Sequence, residues 1–281
     1  HSLADRVMKM TGIITDIQHF SLHDGAGIRS TVFFKGCNMR CKWCHNPETL
    51  TAAPQQAHYP GKCIHCGRCA TGCPAGARVT IGREMDEEQV MDAIMADLDY
   101  YEASGGGVTF SGGEPFVQSG FLLTLLSRCR EAGIHTAAET NLSMPWDCIA
   151  LCLAFLDHVY FDIKIMDDEA HRRWTGISNR KILKNAAALA ASGASFTVRT
   201  PLIPGATDSD ENIWEIAAFV AGLQKDASYE LLNYNVLAKS KYGPIGLTYS
   251  LPDARPLNAA RLKDLMSLAA AQGVRCTVRK G

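Results

Sequence analysis

This sequence has no surplus of either charge: 28 Lys and Arg stand against 29 Asp and Glu, a formal net charge of −1. The balance removes the electrostatic footprint of a nucleic-acid binder, and no block of like charges marks an interaction tail. No apolar run approaches the ~18 residues that a bilayer span requires. Nor does a basic segment followed by an apolar stretch open the chain, so neither secretion nor a membrane partner is expected. Internal repeats and low-complexity stretches are also missing. A length of 281 residues suits one large α/β domain carrying a small insert. Residues 1–7 read as an appended segment, with Met8 or Met10 as the natural start.

Cysteine, by contrast, is plentiful and unevenly placed. Seven of the eleven fall within the stretch 37–73, in two groups of different spacing. The first is Cys37, Cys41 and Cys44, three thiols with no fourth nearby. The second is Cys63, Cys66, Cys69 and Cys73 followed by Pro74, the spacing of a bacterial ferredoxin run. Four thiolates can close a 4Fe–4S cluster, whereas three leave one iron open to react. Open metal positions serve catalysis and closed ones serve structure or electron transfer, so the first group is the expected reaction centre. Zinc is the rival occupant of both groups, with His45 as a fourth ligand in the first. Either Cys73 closes its own cluster or a distant thiol does, and Cys73 is the preferred ligand. Cys129, Cys148, Cys152 and Cys276 lie among apolar neighbours and read as small buried hydrophobes. Metal-type spacing without a secretion signal points to a reducing cytoplasm, not to disulfides.

Strands and helices alternate along the remainder. β-Rich runs occur at residues 31–35, 108–110, 135–138, 158–163, 196–203, 229–233 and 274–278. Helical patterns occupy 86–102, 120–131, 146–156, 180–192, 212–223 and 258–272, and Asp86 with Gln89 forms a capping box for the first. Such repeating units predict parallel strands with right-handed crossovers. The expected fold is α/β, a partial (β/α)6 barrel over residues 11–50 and 83–281, with a ferredoxin-like iron–sulfur insert at 51–82. A closed eight-unit barrel is the competing geometry.

Polar residues gather where these strands end. Cys37 follows the first strand, and Gly112-Gly113-Glu114-Pro115 follows the second. Glu139, Asp162 with Lys164, Arg199 and Asn235 mark the next four. In βα barrels that rim is the active-site face. Two glycines let bare backbone approach a ligand, Glu114 offers a carboxylate to a cation, and Pro115 suits a first helical position. Gly105-Gly106-Gly107 lacks the Lys and Ser/Thr of a phosphate loop and reads as a helix stop with a flexible entry to the second strand. Asp162 and Lys164 equally fit an ordinary ion pair at the rim.

Gly25, Gly27, Arg29, Phe33, Gly36, the three thiols Cys37, Cys41 and Cys44, and Asn46 together resemble the radical-activating signature of the radical SAM superfamily. The Gly-Gly-Glu-Pro segment, Asp162-Ile163-Lys164, Arg199 and the Leu-Leu-Asn-Tyr-Asn run at 231–235 continue the match from about Thr11 onward. The resemblance is to activating enzymes of glycyl radical enzymes, including those with a ferredoxin-like insert. It implies that Cys37, Cys41 and Cys44 hold a 4Fe–4S cluster whose open iron chelates S-adenosylmethionine (SAM). On the same ground Gly112, Gly113 and Glu114 receive the SAM ammonium, Trp43 and His45 flank its adenine, and Lys164 contacts its carboxylate. Glu139 and Asp162 form a ribose- or cation-binding pair, Asn235 and Arg199 border the cofactor, and Asp24 and Arg199 face the incoming protein loop. Cys63, Cys66, Cys69 and Cys73 hold an auxiliary 4Fe–4S cluster.

Three features depart from the family pattern. Glu139 stands where the best-known relatives carry Asp, Asn235 where many carry His, and one cysteine run stands where larger relatives carry two. The implied activity is anaerobic: reductive cleavage of SAM, then removal of a hydrogen atom from a glycine Cα of a partner enzyme. A flavodoxin- or ferredoxin-type donor supplies the electron, and the chain is expected to be monomeric. The alternatives are a radical SAM enzyme acting on a small molecule, the activator of anaerobic ribonucleotide reductase, and a non-enzymatic iron–sulfur electron carrier.

Overall fold

A computed structural model describes residues 10–69 and 72–279 of the chain. The appended segment expected at residues 1–7 lies outside them. Strand β1 (Thr11–Ser21) runs antiparallel to β2 (Arg29–Phe34). Beyond the thiol loop, β3 (Gln55–His58) and β4 (Arg78–Ile81) pair as a separate two-stranded sheet flanking the second cysteine group. Strand β5 (Arg83–Asp86) then returns to cover Thr11–Ile14 of β1. The βα succession follows: α1 (Glu87–Met95), α2 (Leu98–Ser104), β6 (Gly107–Gly112), α3 (Ser119–Glu131), β7 (Thr136–Thr140), α4 (Trp146–Leu153) and β8 (His158–Asp162). It closes with α5 (Asp168–Thr175), α6 (Arg180–Ala191), β9 (Phe196–Leu202), α7 (Asp210–Leu223), β10 (Ser228–Asn233), α8 (Lys239–Tyr242), α9 (Ala259–Ala270) and β11 (Arg275–Arg279).

The large sheet has the order β11-β10-β9-β8-β7-β6-β2-β1-β5, parallel from β2 through β11. Among the described residues its two ends do not pair, so it is an open, partial barrel and not the closed eight-unit one. Side chains alternate across each strand. Val32, Phe34, Val108, Phe110, Val159, Phe161, Val198 and Leu231 belong to the apolar core that the helices complete. The alternate positions face inward and are polar. Arg29 Nε donates to Thr109 Oγ1 at 2.7 Å, and Thr31 Oγ1 donates to Asp24 Oδ2 at 2.6 Å.

The seven anticipated strands and most helices lie close to their expected positions, but several elements differ, among them the unforeseen β3, β4, β5 and α8. The helix expected at 86–102 breaks between α1 and α2, where Asp97 is buried and its carboxylate bonds His19 and Ser30. Its N-terminus does carry the Asp86–Gln89 capping box. Strand β1 and helix α5 were not anticipated. The glycine run behaves differently from a flexible entry: Gly105 caps α2 in the left-handed region, but a Cβ on Gly106 would sit 1.8 Å from the Ile28 carbonyl oxygen. Close backbone approach, not mobility, requires it.

Lys35, at the end of β2, is completely buried. Its ammonium donates to the Glu48 carbonyl at 2.5 Å, Gln55 Oε1 at 3.1 Å and Thr51 Oγ1 at 3.2 Å. It therefore pins the exit of the thiol loop to the first strand of the insert. Lys35→Met leaves the Glu48 carbonyl unpaired and Thr51 and Gln55 bonded only to each other, and should cost about 3 kcal/mol in urea unfolding. Amide exchange at residues 55–58 should quicken in the same variant.

Candidate active site at the C-terminal rim

The loop after β2 runs extended past the end of α5. Arg40 N–H donates to the Thr175 carbonyl at 2.7 Å, and Lys42 N–H to the Trp174 carbonyl at 3.0 Å. A helix C-terminus has carbonyls to spare, and here they take the thiol loop as a partner. The loop's side chains alternate accordingly: Met39 and Trp43 are buried while Arg40 and Lys42 are exposed. Cys37, Cys41 and Cys44 thereby border one wall of a cavity of about 400 Å³. Across from them stand the strand ends with Gly112, Gly113, Glu139, Asp162, Lys164 and Arg199. Burial pushes the Cys41 thiol up to about 11 and Cys44 to about 12, and raises Cys37 as well. Lys164 opposes the shift at Cys37 and Cys41, whereas Glu114 adds to it at Cys37 and Asp162 at Cys41.

The Gly-Gly-Glu segment is placed differently from expectation. Gly112 and Gly113 border the cavity, but a Cβ on either would meet backbone: Phe34 O at 2.3 Å and Gly36 O at 2.3 Å, respectively. Both glycines therefore admit the thiol loop at close range. Pro115 opens a short 3-10 turn, as a first helical position should. Glu114 does not border the cavity. It is wholly buried, and its carboxylate accepts bonds from Asn141 N (2.7 Å), Thr140 Oγ1 (2.8 and 2.9 Å) and Phe116 N (3.2 Å). Burial raises its pKa to about 7 against those bonds. In the free chain its bonding goes to the end of β7 and to its own turn at Phe116.

Beyond it the inner wall is a chain of opposite charges. Ser111 Oγ donates to Glu139 Oε2 at 2.6 Å, and Arg199 Nη1 bonds the other Glu139 oxygen. Arg199 Nε reaches Glu230 at 2.7 Å, and Arg279 meets the far oxygen of Glu230 at 3.0 Å. The Arg199 guanidinium also lies 3.9 Å over the ring of Tyr160. Burial alone would lower the Arg199 pKa, but Glu139 and Glu230 hold it above the usual value. Asp162 separately pairs with Lys164 at 2.5 Å. Burial would lower that ammonium too, and Asp162 with Cys41 raises it. Glu230, Arg279 and Tyr160 escaped sequence reading. Sheet register could have found them, since Arg199 stands opposite both Asp162 and Glu230.

The other expected residues are dispersed around the same space. Trp43 borders the cavity from a cluster with Ile165, Ile203, Tyr234, Tyr242 and Tyr249. His45 also borders it, its pKa lowered by burial and by Lys241. Tyr242 Oη donates to the Cys44 carbonyl at 2.9 Å, and Lys241 reaches Asn46 and Glu48, so α8 clamps the thiol loop from outside. Asn235 borders the cavity while its side chain caps the turn at Leu237. Asp24 borders it too, holding Thr31. In the insert, Cys66 and Cys69 are exposed and Cys63 and Cys73 half-buried. The backbone N–H groups of Arg78, Ala77, Ala75 and Gly76 lower the Cys73 pKa, which suits a thiolate ligand. Of the four cysteines read as hydrophobes, Cys129 and Cys152 are buried and Cys148 and Cys276 half-buried.

Both cysteine groups fit iron–sulfur ligation. Three thiols border a half-open cavity that Lys164 also lines, and four flank a separate small sheet. Among the described residues no three His, Cys, Asp or Glu side chains close around a point that a single ion would fill.

Three substitutions test this geometry. Glu114→Ala leaves the Asn141 and Phe116 amides and the Thr140 hydroxyl without a partner, and should cost about 3 kcal/mol in urea unfolding. Iron incorporation at the rim should fall with it, whereas a loss of SAM affinity at full iron content would restore Glu114 to the ligand. Arg199→Met leaves Glu139 only Ser111 and Glu230 only Arg279, and should destabilise by about 4 kcal/mol. Glu230→Gln, which removes one charge of three, should cost less in the same assay.

Residues 31–220 match the radical SAM superfamily. The chain is 39% identical to the isethionate sulfite-lyase activating enzyme of Nitratidesulfovibrio vulgaris, over 86% of this chain and 89% of that one. It is 37% identical to the indoleacetate decarboxylase activating enzyme of Tractidigestivibacter scatoligenes, over 96% and 98%. A solved domain of the pyruvate-formate lyase-activating enzyme from Bacteroides vulgatus superposes with a TM-score of 0.53 at 27% identity, covering 62% of this chain and 99% of that domain. Such enzymes act on glycyl radical enzyme partners, and their superfamily uses a 4Fe–4S cluster and SAM. An open parallel barrel with three thiols at its rim, matched over most of its length by these relatives, places the chain in the radical SAM superfamily, among the activating enzymes of glycyl radical enzymes.

Proposed function

We propose that this chain activates a partner glycyl radical enzyme by reductive cleavage of SAM and removal of a hydrogen atom from a glycine Cα. The observation that carries the reading is the convergence of Cys37, Cys41 and Cys44 with Lys164 and Asp162 on one half-open cavity. When bound, the cluster and SAM together supply a one-electron cleavage yielding methionine and a hydrogen-abstracting 5′-deoxyadenosyl group.

The chain's own residues hold and orient. Cys37, Cys41 and Cys44 ligate the cluster. Lys164, fixed by Asp162, meets the carboxylate of SAM, and the backbone at Gly112 and Gly113 borders its amino acid end. Trp43 and His45 border the adenine, with Asn235 beside them. Glu139, fixed by Ser111 and Arg199, supplies an oriented carboxylate to the ribose. Asp24 and Arg199 face the incoming glycine loop. Preorganised charges of this kind stabilise a reaction without reorganising during it. The cofactor does the demanding chemistry while the protein excludes competing reactions.

Cys63, Cys66, Cys69 and Cys73 hold an auxiliary 4Fe–4S cluster in the insert spanning residues 51–82. An electron carrier of flavodoxin or ferredoxin type serves the enzyme, a monomer of the reducing cytoplasm. No helix among the described residues is long and apolar enough to cross a membrane.

Anaerobic reconstitution should give about eight irons per chain, four for each thiol group. Cys63→Ser with Cys66→Ser should halve that figure and leave dithionite-driven SAM cleavage in place. Zinc, or about four irons in the unaltered chain, would remove the auxiliary cluster. The activating function itself requires a glycyl radical on the partner by electron paramagnetic resonance. SAM cleavage with no such radical on any candidate partner would count against it.

A further inference from the structure

A second groove, of about 650 Å³, opens from the reaction cavity and shares Asp24, His45, Asn46, Thr49, Ser111 and Glu139 with it. One bank is β1 from Thr15 onward with the loop to Asp24, and the other is the exit of the thiol loop with Lys241. Three features of this groove find no use within the chain. Strand β5 covers only Thr11–Ile14 of β1, so Thr15–Ser21 has no strand on its outer edge among the described residues. That bare edge is about 20 Å long at strand rise. Two polar atoms, Thr15 Oγ1 on one bank and Glu48 Oε2 on the other, are buried without a hydrogen-bond partner. Finally, Phe20 and Leu22 stand 49% and 66% exposed beside it.

A radical-bearing glycine sits mid-chain, so its polypeptide must leave the cavity as well as enter it. An extended arm of that polypeptide brings alternating N–H and C=O groups and no net charge. It matches a bare strand edge, a carboxylate oxygen lacking a donor and a hydroxyl lacking any partner. Strand addition to an open edge is a recurrent mode of peptide recognition. In the free chain the edge is guarded: Asp16 Oδ1 accepts from Ile17 N–H at 3.0 Å, as charged side chains do on edges kept from indiscriminate pairing.

Building on the activating function above, we propose that this groove seats one extended arm of the partner's glycine loop. The arm pairs its main chain with β1, bonds Thr15 and Glu48, and rests on Phe20 and Leu22.

Thr15→Val separates this role from a structural one. Replacing an unpartnered buried hydroxyl by a methyl group leaves a free protein as stable as before, or more so. The probe is a full-length glycyl radical enzyme, titrated against reconstituted activating enzyme. Thr15→Val should keep its melting temperature and its partner-free SAM cleavage, yet bind the probe about five-fold more weakly. Leu22→Asp should weaken binding more than ten-fold, while Leu151→Asp, a comparably exposed leucine on α4, should not. Amide exchange at Thr15–Ser21 should slow when the probe binds. Unchanged affinity in either variant, an equal loss in Leu151→Asp, or no protection at β1 would overturn the groove. A wild-type chain that forms no glycyl radical on the probe would instead overturn the activating function.

Discussion

The backbone of Phe34–Gly36 lies against that of Gly112–Glu114 so closely that neither glycine of the second segment admits a side chain. Gly113 N–H donates to the Phe34 carbonyl at 3.0 Å, and Glu114 N–H to the Gly36 carbonyl at 2.9 Å. These two bonds continue the β2–β6 ladder past the end of the sheet and into the thiol loop. Cys37 follows directly, so its height above the rim is set by main chain and not by a flexible side chain. Glu114, turned inward at the same point, carries the constraint to Asn141 at the end of β7. Asn141 Nδ2 in turn lies 3.1 Å from Asn38 Oδ1 inside the loop. Three strand ends and the first thiol thus form one hydrogen-bonded unit.

The charges behind that unit obey a second constraint. Arg199 is only 5% exposed, and an isolated guanidinium so placed would cost several kcal/mol. Alternation removes most of that cost: Arg279, Glu230, Arg199 and Glu139 follow one another across four strands with opposite signs in contact. Lys164 and Asp162 form their own pair beside them. Every charged group of the inner wall therefore has a fixed direction before a ligand arrives. Such order contributes more to a site than to stability, because apolar residues in the same places would pack at no greater cost.

The legibility of this fold in the sequence follows the same physical division. Parallel strands such as β6, buried on both faces, read clearly as short β-rich runs ended by glycine. β1 did not, since Asp16, Gln18 and His19 interrupt its apolar pattern, and its pairing with β2 and β5 makes it a strand. Helix α5 carries Asp, Glu, His or Arg at five of its eight positions. It exists through its Asp167 cap and the loop it supports, neither of which is a periodicity. At the site, cysteine spacing and rim position located the thiols, Asp162, Lys164 and Arg199. The partners of Glu114 were not legible, because a carboxylate in a glycine turn looks free in sequence, whereas Thr140 and Asn141 reach it from 26 and 27 residues away.

In a closed barrel the interior is packed with branched apolar side chains and forms part of the core. Here the sheet stays open, and its inner face carries Arg29, Thr31, Thr109, Ser111, Glu139, Tyr160, Arg199 and Glu230. Cohesion therefore comes from the outer face, where the helices bury Val32, Phe110, Phe161, Val198 and their neighbours. That separation frees the inner face from any duty to fill space, so it can stay polar and concave. It also explains why the antiparallel β1 matters. A sheet ending at β2 would expose the strand that carries the thiol loop, whereas β1 shields it and leaves its own outer edge as the chain's exposed boundary beside the cavity. The same openness that admits a cofactor thus leaves room for a polypeptide to reach it.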